Sequence, residues 1–126
     1  MSWQTYVDSN LVGTGKLAKA AILGQDGFTW ASTPGFSLSI DEGLQLMAGF
    51  DDAGPLRADG LYAQGERYAD LKADERSIYG RRGPCGIVCV KTVRAVMIGV
   101  YNESMQPGIA ADTVEKLADY LIQCGY

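Results

Sequence analysis

Three features of the sequence predict an α/β sandwich of the α+β kind, with helices laid on a mainly antiparallel sheet. The last segment carries Val114, Leu117, Ala118, Leu121 and Ile122 at the i, i+3, i+4, i+7 and i+8 positions of a core-facing helical stripe. The first segment places Trp3, Tyr6, Val7 and Leu11 on one helical arc. Between them, from Gly60 onward, short apolar runs are separated by turn residues at a spacing that suits an antiparallel meander. Terminal helices around a central meander make a helix layer on a sheet.

Taken in order, Ser2 can cap a helix over 3–12, and Gly13-Thr14-Gly15 stops it. Strand-like 20–23 and 28–32 flank Gly24-Gln25-Asp26-Gly27 and read as a hairpin with Trp30 on its second strand. A short amphipathic helix over 41–50 presents Leu44, Leu46, Met47 and Phe50 behind a cap supplied by Ser39 or Asp41. A loop rich in Asp and Gly follows. The meander then reads as strands over 61–64, 67–72, 77–79, 86–91 and 95–101, with turns at Gly65, Asp74, Gly83-Pro84 and Thr92. After Gln106-Pro107-Gly108 comes the last helix, over 109–122.

A chain of 126 residues fits one domain, 1–126, and its 47% hydrophobic content is too high for disorder. No apolar run is long enough to span a bilayer, and the N-terminus lacks the basic-then-apolar build-up of a secretory leader, so a cytoplasmic location is expected. Cys85, Cys89 and Cys124 are odd in number and lack a CxxC spacing, which argues against a disulfide framework or a zinc site. The chain has no histidine, so Ser-His-Asp catalysis and His-ligated metals are excluded; Cys85 or Cys89 as a nucleophile would have no histidine to activate it. Neither an enzyme nor a bound cofactor or metal is expected. Gly13-Thr14-Gly15-Lys16 lacks the spacing of a phosphate-binding loop and follows a helix rather than a strand.

Two constellations remain. Bulky aromatics stand at both ends, Trp3 and Tyr6 at one and Tyr120 and Tyr126 at the other. Chain ends are usually frayed and polar, so these ends are expected to be ordered, against each other. Stepping 100° per residue from Val114, Tyr120 falls near 240°, beside the stripe rather than within it. Tyrosine and tryptophan offer flat apolar faces with hydrated polar tips, which suits the rings and unpaired carbonyls of a polyproline II ligand. The alternative is plain core packing. The second constellation is basic: Arg67, Lys72, Arg76, Arg81, Arg82, Lys91 and Arg94 lie in the strand-rich region of a chain whose net charge is -4. Glu66, Asp70, Asp74 and Glu75 partly cancel them, as on an ordinary solvated sheet face. As a functional surface it suits an acidic protein partner or anionic lipid headgroups. Nucleic acid is not expected, given the acidity and the lack of a known module.

Over nearly its whole length the chain resembles a profilin. The resemblance is carried by Ser2-Trp3-Gln4-Thr5-Tyr6-Val7-Asp8, Leu11-Val12-Gly13-Thr14-Gly15, Lys72-Ala73-Asp74-Glu75-Arg76-Ser77-Ile78-Tyr79-Gly80, Val88-Cys89-Val90-Lys91-Thr92 and Leu117-Ala118-Asp119-Tyr120-Leu121-Ile122. It implies a monomeric, non-enzymatic, actin-monomer-binding protein whose terminal helices pack together on one face of the sheet, with smaller helical and loop elements on the other. Tyr120, where animal profilins often have histidine, points to the short amoeboid and fungal type.

The resemblance also implies sites. Trp3, Tyr6, Trp30, Tyr120 and Tyr126 match an aromatic cleft for proline-rich segments of formins and similar factors. Lys72, Arg81, Lys91, Gly108, Asp112 and Lys116 match a face for the barbed end of an actin monomer, and Asp112 is acidic where some members are basic. Arg76, Arg81 and Arg82 match residues that bind phosphatidylinositol 4,5-bisphosphate. A small-molecule sensor is the competing reading, since helix-flanked antiparallel sheets also build ligand modules; it would need an enclosed pocket.

Overall fold

The computed structural model describes residues 2–126. Ser2 accepts a hydrogen bond from the Thr5 N–H on its hydroxyl (3.2 Å) and starts the α-helical turn α1 (Trp3–Thr5). The run continues as a π-helical stretch, Tyr6–Leu11, and a 3-10 turn, Val12–Thr14. The expected arc persists through this change of winding, because Val7 and Leu11 are both fully buried. Gly15 ends the run in the left-handed region (φ 76°), where a side chain would be strained.

The strands are β1 (Lys19–Gly24), β2 (Thr29–Ser32), β3 (Leu61–Ala63), β4 (Glu66–Ala73), β5 (Ser77–Arg82), β6 (Cys85–Lys91) and β7 (Ala95–Tyr101). They form one sheet in the order β2-β1-β7-β6-β5-β4-β3, every neighbouring pair antiparallel. The helices α2 (Ile40–Asp51) and α3 (Gly54–Asp59) cover one face. The N-terminal run and α4 (Pro107–Gln123) cover the other.

Each face has its own core. Val7, Leu11, Val114, Leu117 and Leu121 meet Ile22, Val88, Val90 and Met97 on the terminal-helix side. Leu46, Phe50 and Leu56 meet Leu23, Ile78, Ile87 and Ile98 on the other. Every residue of β7 is buried, because a strand covered on both sides has no solvent face to alternate with. Burying each large apolar side chain of these cores, such as Val96, Met97 or Ile98, contributes about 1.5–3 kcal/mol.

The structure departs from the sequence reading in places with clear causes. The Asp- and Gly-rich segment expected as a loop contains α3, which opens with Pro55 in its first turn and is anchored by Leu56 alone. One apolar anchor leaves no periodicity to read. β5 runs to Arg82 rather than stopping at Tyr79, because Gly80 does not break it: a Cβ there would meet the Tyr68 Cβ at 2.8 Å. Ser39, not Asp41, caps α2, in a capping box completed by Glu42. Glu42 also accepts from the N–H groups of Gln64 (2.9 Å) and Gly65 (2.8 Å), tying the start of α2 to the β3–β4 turn. Burial opposes its ionisation, but the N–H donors of Gly65, Ser39 and Gln64 outweigh it and lower the pKa.

Candidate functional site: an aromatic cleft and a second face

The cleft is centred on Trp3. Its ring centroid lies 5.0 Å from that of Trp30, 5.6 Å from that of Tyr126 in an edge-on arrangement, and 5.9 Å from that of Tyr6. These are distances of attractive ring pairs. Trp3 and Tyr6 are half-buried, whereas Trp30 (41%), Tyr126 (43%) and Tyr120 (51%) keep much of their surface in solvent. The ring cluster is therefore a floor with open walls rather than a sealed core.

Local structure fixes each ring. Trp30 is the extra residue of a β-bulge, since Ile22 pairs with Ala31 while Leu23 pairs with Thr29. A bulge re-aims a side chain, and here it delivers the indole to Trp3. Gly24 makes the space: a Cβ there would lie 2.7 Å from the indole Nε1. Trp3 is held through its neighbour Gln4, whose amide donates to the Ser32 carbonyl (2.9 Å) and the Asp8 carboxylate (3.0 Å). Tyr126 is fixed by its own backbone. Its N–H donates to the Leu121 carbonyl (2.9 Å), and its carbonyl accepts from the Thr92 hydroxyl (2.8 Å) and the Arg94 N–H. The Arg94 guanidinium sits 6.0 Å over its ring.

Tyr120 stands outside the stack on Trp3 but alongside Tyr6. Cys124, one turn on, raises its pKa first, and Tyr6 adds to the effect. All three cysteines are free; Cys89 is buried, which pushes its thiol far above the usual range, while Cys124 is exposed beside the cleft. Gly24, Gln4 and Arg94 are the contributors that sequence reasoning missed. Only the hairpin turn at 24–27 hinted at the first, and nothing local at the others.

A second face lies where β4 and β5 meet the start of α4. Leu71, Tyr79, Ile87, Val88, Tyr101 and Gly108 surround an apolar hollow of about 170 Å³. Leu71, 59% exposed, is the extra residue of a bulge in β4, and Ile109 is 43% exposed. Lys72 rims this surface, 5.0 Å over the Tyr79 ring and 3.7 Å from Asp74. Arg81 donates to the Gly83 carbonyl at 2.9 Å. Asp112 and Lys116 pair with each other at 2.9 Å and are exposed. Lys91 lies elsewhere: its Nζ is 6.0 Å over the Phe50 ring, on the α2 side of the sheet.

The three candidate phosphate ligands do not form one cluster. Arg76 and Arg82 flank and end β5, about 20 Å apart at the rise of a strand. Arg76 is bound between Glu115 (3.1 Å) and Asp119 (2.7 Å), and Arg82 pairs with Glu66 at 2.6 Å. Glu115 also accepts from the hydroxyls of Ser77 (2.8 Å) and Tyr79, so it locks β5 to α4. Burial, then Glu115, pushes the Tyr79 phenol well above its usual value.

The fold and these two faces define a class: a small α+β module with an open aromatic cleft and a second, partly apolar face. Comparison with known proteins narrows it. The profilin family model matches residues 1–126. Profilin-1A of Acanthamoeba castellanii is 55% identical over 126 residues, covering 100% of both chains. The crystal structure of Acanthamoeba castellanii profilin II superposes with a TM-score of 0.98 at 54% identity, covering 99% of this chain and 100% of that one. Mouse profilin IIa, solved in complex with a double repeat from the FH1 domain of mDia1, shares the fold at a TM-score of 0.81 and 21% identity, covering 100% of both chains. The chain belongs to the profilin family, whose general role is actin binding.

Proposed function

We propose that this profilin binds actin monomers on the Leu71–Lys72–Gly108 face and proline-rich segments in the Trp3 cleft, and so regulates actin polymerisation at the cytoskeleton. The observation that carries the reading is the Trp3–Trp30–Tyr126 ring cluster, held open by the bulge at Trp30. A polyproline II segment has no internal hydrogen bonds, so its rings can pack between flat aromatics while its carbonyls accept from indole N–H or phenol groups. Trp3, Tyr6, Trp30, Tyr120 and Tyr126 serve as that surface. The FH1 repeat held by the mouse relative is a ligand of the same chemistry, and formin segments are the expected partners.

On the second face, exposed Leu71 and Ile109 supply the apolar centre of a protein interface, and Lys72, Arg81, Asp112 and Lys116 its charged rim. Lys91 is too far round the sheet to share the centre and acts at the periphery. Binding there promotes nucleotide exchange on actin by favouring one cleft state of the partner, with no chemistry performed by the profilin. Arg81 is the available phosphoinositide ligand, with Arg76 and Arg82 already held by carboxylates. The sensor reading has less support: a hollow of about 640 Å³ between α2, α3 and β3 is rimmed by exposed Asp52, Asp59, Tyr62 and Arg67 rather than enclosed.

Two substitutions test the model. Trp3→Ala is expected to weaken decaproline binding, read by tryptophan fluorescence, at least tenfold, since a central aromatic anchor is worth about 2 kcal/mol or more. Its effect on actin-monomer binding is expected to be small. Lys72→Glu is expected to do the reverse. Parallel loss of both activities in either folded variant would falsify the two-face model.

A further inference from the structure

Trp30 and Tyr126 reach Trp3 from distant parts of the chain, yet both segments are tied to the same place, the turn between β6 and β7. Thr92 is buried in that turn, with its hydroxyl 2.8 Å from the backbone oxygen of Tyr126 and 3.2 Å from that of Ala95. A hydroxyl has one proton to give. The Tyr126 distance is the usual one for such a bond and the Ala95 distance is beyond the usual range, so the proton goes to Tyr126. The Ala95 N–H donates back to the hydroxyl at 3.1 Å and fixes its direction. On the other side the turn meets Gln25, whose amide nitrogen donates to the carbonyls of Thr92 at 2.9 Å and Val93 at 3.1 Å. Both protons of that nitrogen are thereby used. Gln25 directly follows Gly24, against which the Trp30 indole lies.

We propose that Thr92 and Gln25 are positioning residues for the proline-rich ligand, setting from one turn where Tyr126 and Trp30 stand on Trp3. The inference rests on the cleft reading above. Each ring sits on a segment that has little else to order it. Trp30 is on β2, an edge strand of four residues paired only with β1, and Tyr126 lies beyond the end of α4 at Gln123. Edges and chain ends open most readily unless tied down. The ties cross 34 and 67 residues of sequence, so they belong to the tertiary fold and not to either ring's own segment. Walls ordered before the ligand arrives need no ordering when it binds, and that saving appears as affinity.

The test compares Thr92→Val, which keeps the side-chain shape and removes the hydroxyl, with Thr92→Ser, which keeps the hydroxyl, and with Gln25→Ala. Decaproline affinity is read by tryptophan fluorescence at a temperature where each variant is folded, and the rings are followed by NMR. Thr92→Val is expected to weaken decaproline binding about fivefold, the scale of one lost hydrogen bond, and to move the Tyr126 ring resonances. Thr92→Ser is expected to keep both as they are in the unsubstituted protein. Gln25→Ala is expected to weaken binding by a similar factor and to move the Trp30 indole N–H resonance. Glu42→Gln, which removes a tie on the opposite face of the sheet, is expected to lower Tm and leave decaproline affinity unchanged. Unchanged affinity in Thr92→Val or in Gln25→Ala would overturn the role of that residue. An equal loss in Glu42→Gln, or in Thr92→Ser, would overturn the inference as a whole, because affinity would then follow stability and not the position of the rings. Should Thr92→Val not fold, Gln25→Ala decides by the same readouts. Failure of the unsubstituted protein to bind decaproline would instead remove the cleft reading itself.

Discussion

At the scale of single residues, the position that decides the cleft is a buried glycine beneath its rings. Gly24 leaves room for the Trp30 indole, whose Nε1 would lie 2.7 Å from any Cβ added there. Backbone on the glycine side cannot yield, so Gly24→Ala is expected to push Trp30 off Trp3. Decaproline affinity should fall about fivefold, the cost of about 1 kcal/mol at an aromatic anchor, with actin binding intact. Unchanged decaproline affinity in that variant would show that Trp30 is not held by this contact. The sequence made Tyr120 legible, because its angle beside the α4 stripe needs only the helical period, and it is indeed 51% exposed. It made Trp30 legible as a hairpin ring but hid the bulge that aims it, since a bulge is a property of two paired strands. The anchoring of Tyr126 by Thr92 and Arg94 was equally hidden, because those partners lie more than thirty positions away, as the 34-residue separation of the Thr92 bond records.

At the scale of elements, Glu42 joins two of them. It closes the capping box of α2 and, through Gln64 and Gly65, holds the β3–β4 turn, where Gln64 has the only positive φ among the described non-glycine residues. Its folded-state pKa is depressed below the ordinary 4.5, so its contribution to stability is fully present above that value and is lost as pH falls through the lower folded pKa. Glu42→Gln is therefore expected to cost about 1–2 kcal/mol near neutral pH. The gap in Tm from the unsubstituted protein should narrow steadily below 4.5, the ordinary carboxylate value. A gap independent of pH would mean that the charge on Glu42 does not matter. The elements with a long pattern were readable from sequence, α4 by its helical stripe and β7, from Ala95 to Tyr101, as an unbroken apolar run bounded by turn residues. Those that depend on one anchor or on a tolerated glycine, α3 and the end of β5, were not, because neither leaves a pattern longer than a turn.

At the scale of the whole molecule, charge decides how the profilin meets a membrane. The net charge is -4, so an anionic bilayer repels the chain except where a local cation is free. The resemblance to profilins grouped Arg76, Arg81 and Arg82, but the strand separates the first from the others, and carboxylates already hold Arg76 and Arg82. Among the described residues Arg81 bonds only the Gly83 carbonyl, which leaves the rest of its guanidinium available. Binding to vesicles containing phosphatidylinositol 4,5-bisphosphate is therefore expected to be weak and to fade within the physiological salt range, where exposed charges are screened beyond about 8 Å. Arg81→Ala should remove most of it. Arg76→Ala should instead loosen the tie from β5 to α4, leaving Glu115 to Ser77 and Tyr79 alone. The charge-assisted bonds lost there are worth about 1–3 kcal/mol, enough to lower Tm by several degrees in a thermal melt. Equal loss of vesicle binding in the two variants, with no change in the Arg76→Ala melt, would mean that the lipid breaks the Glu115 network to reach Arg76 and that this network holds β5 to α4 only loosely.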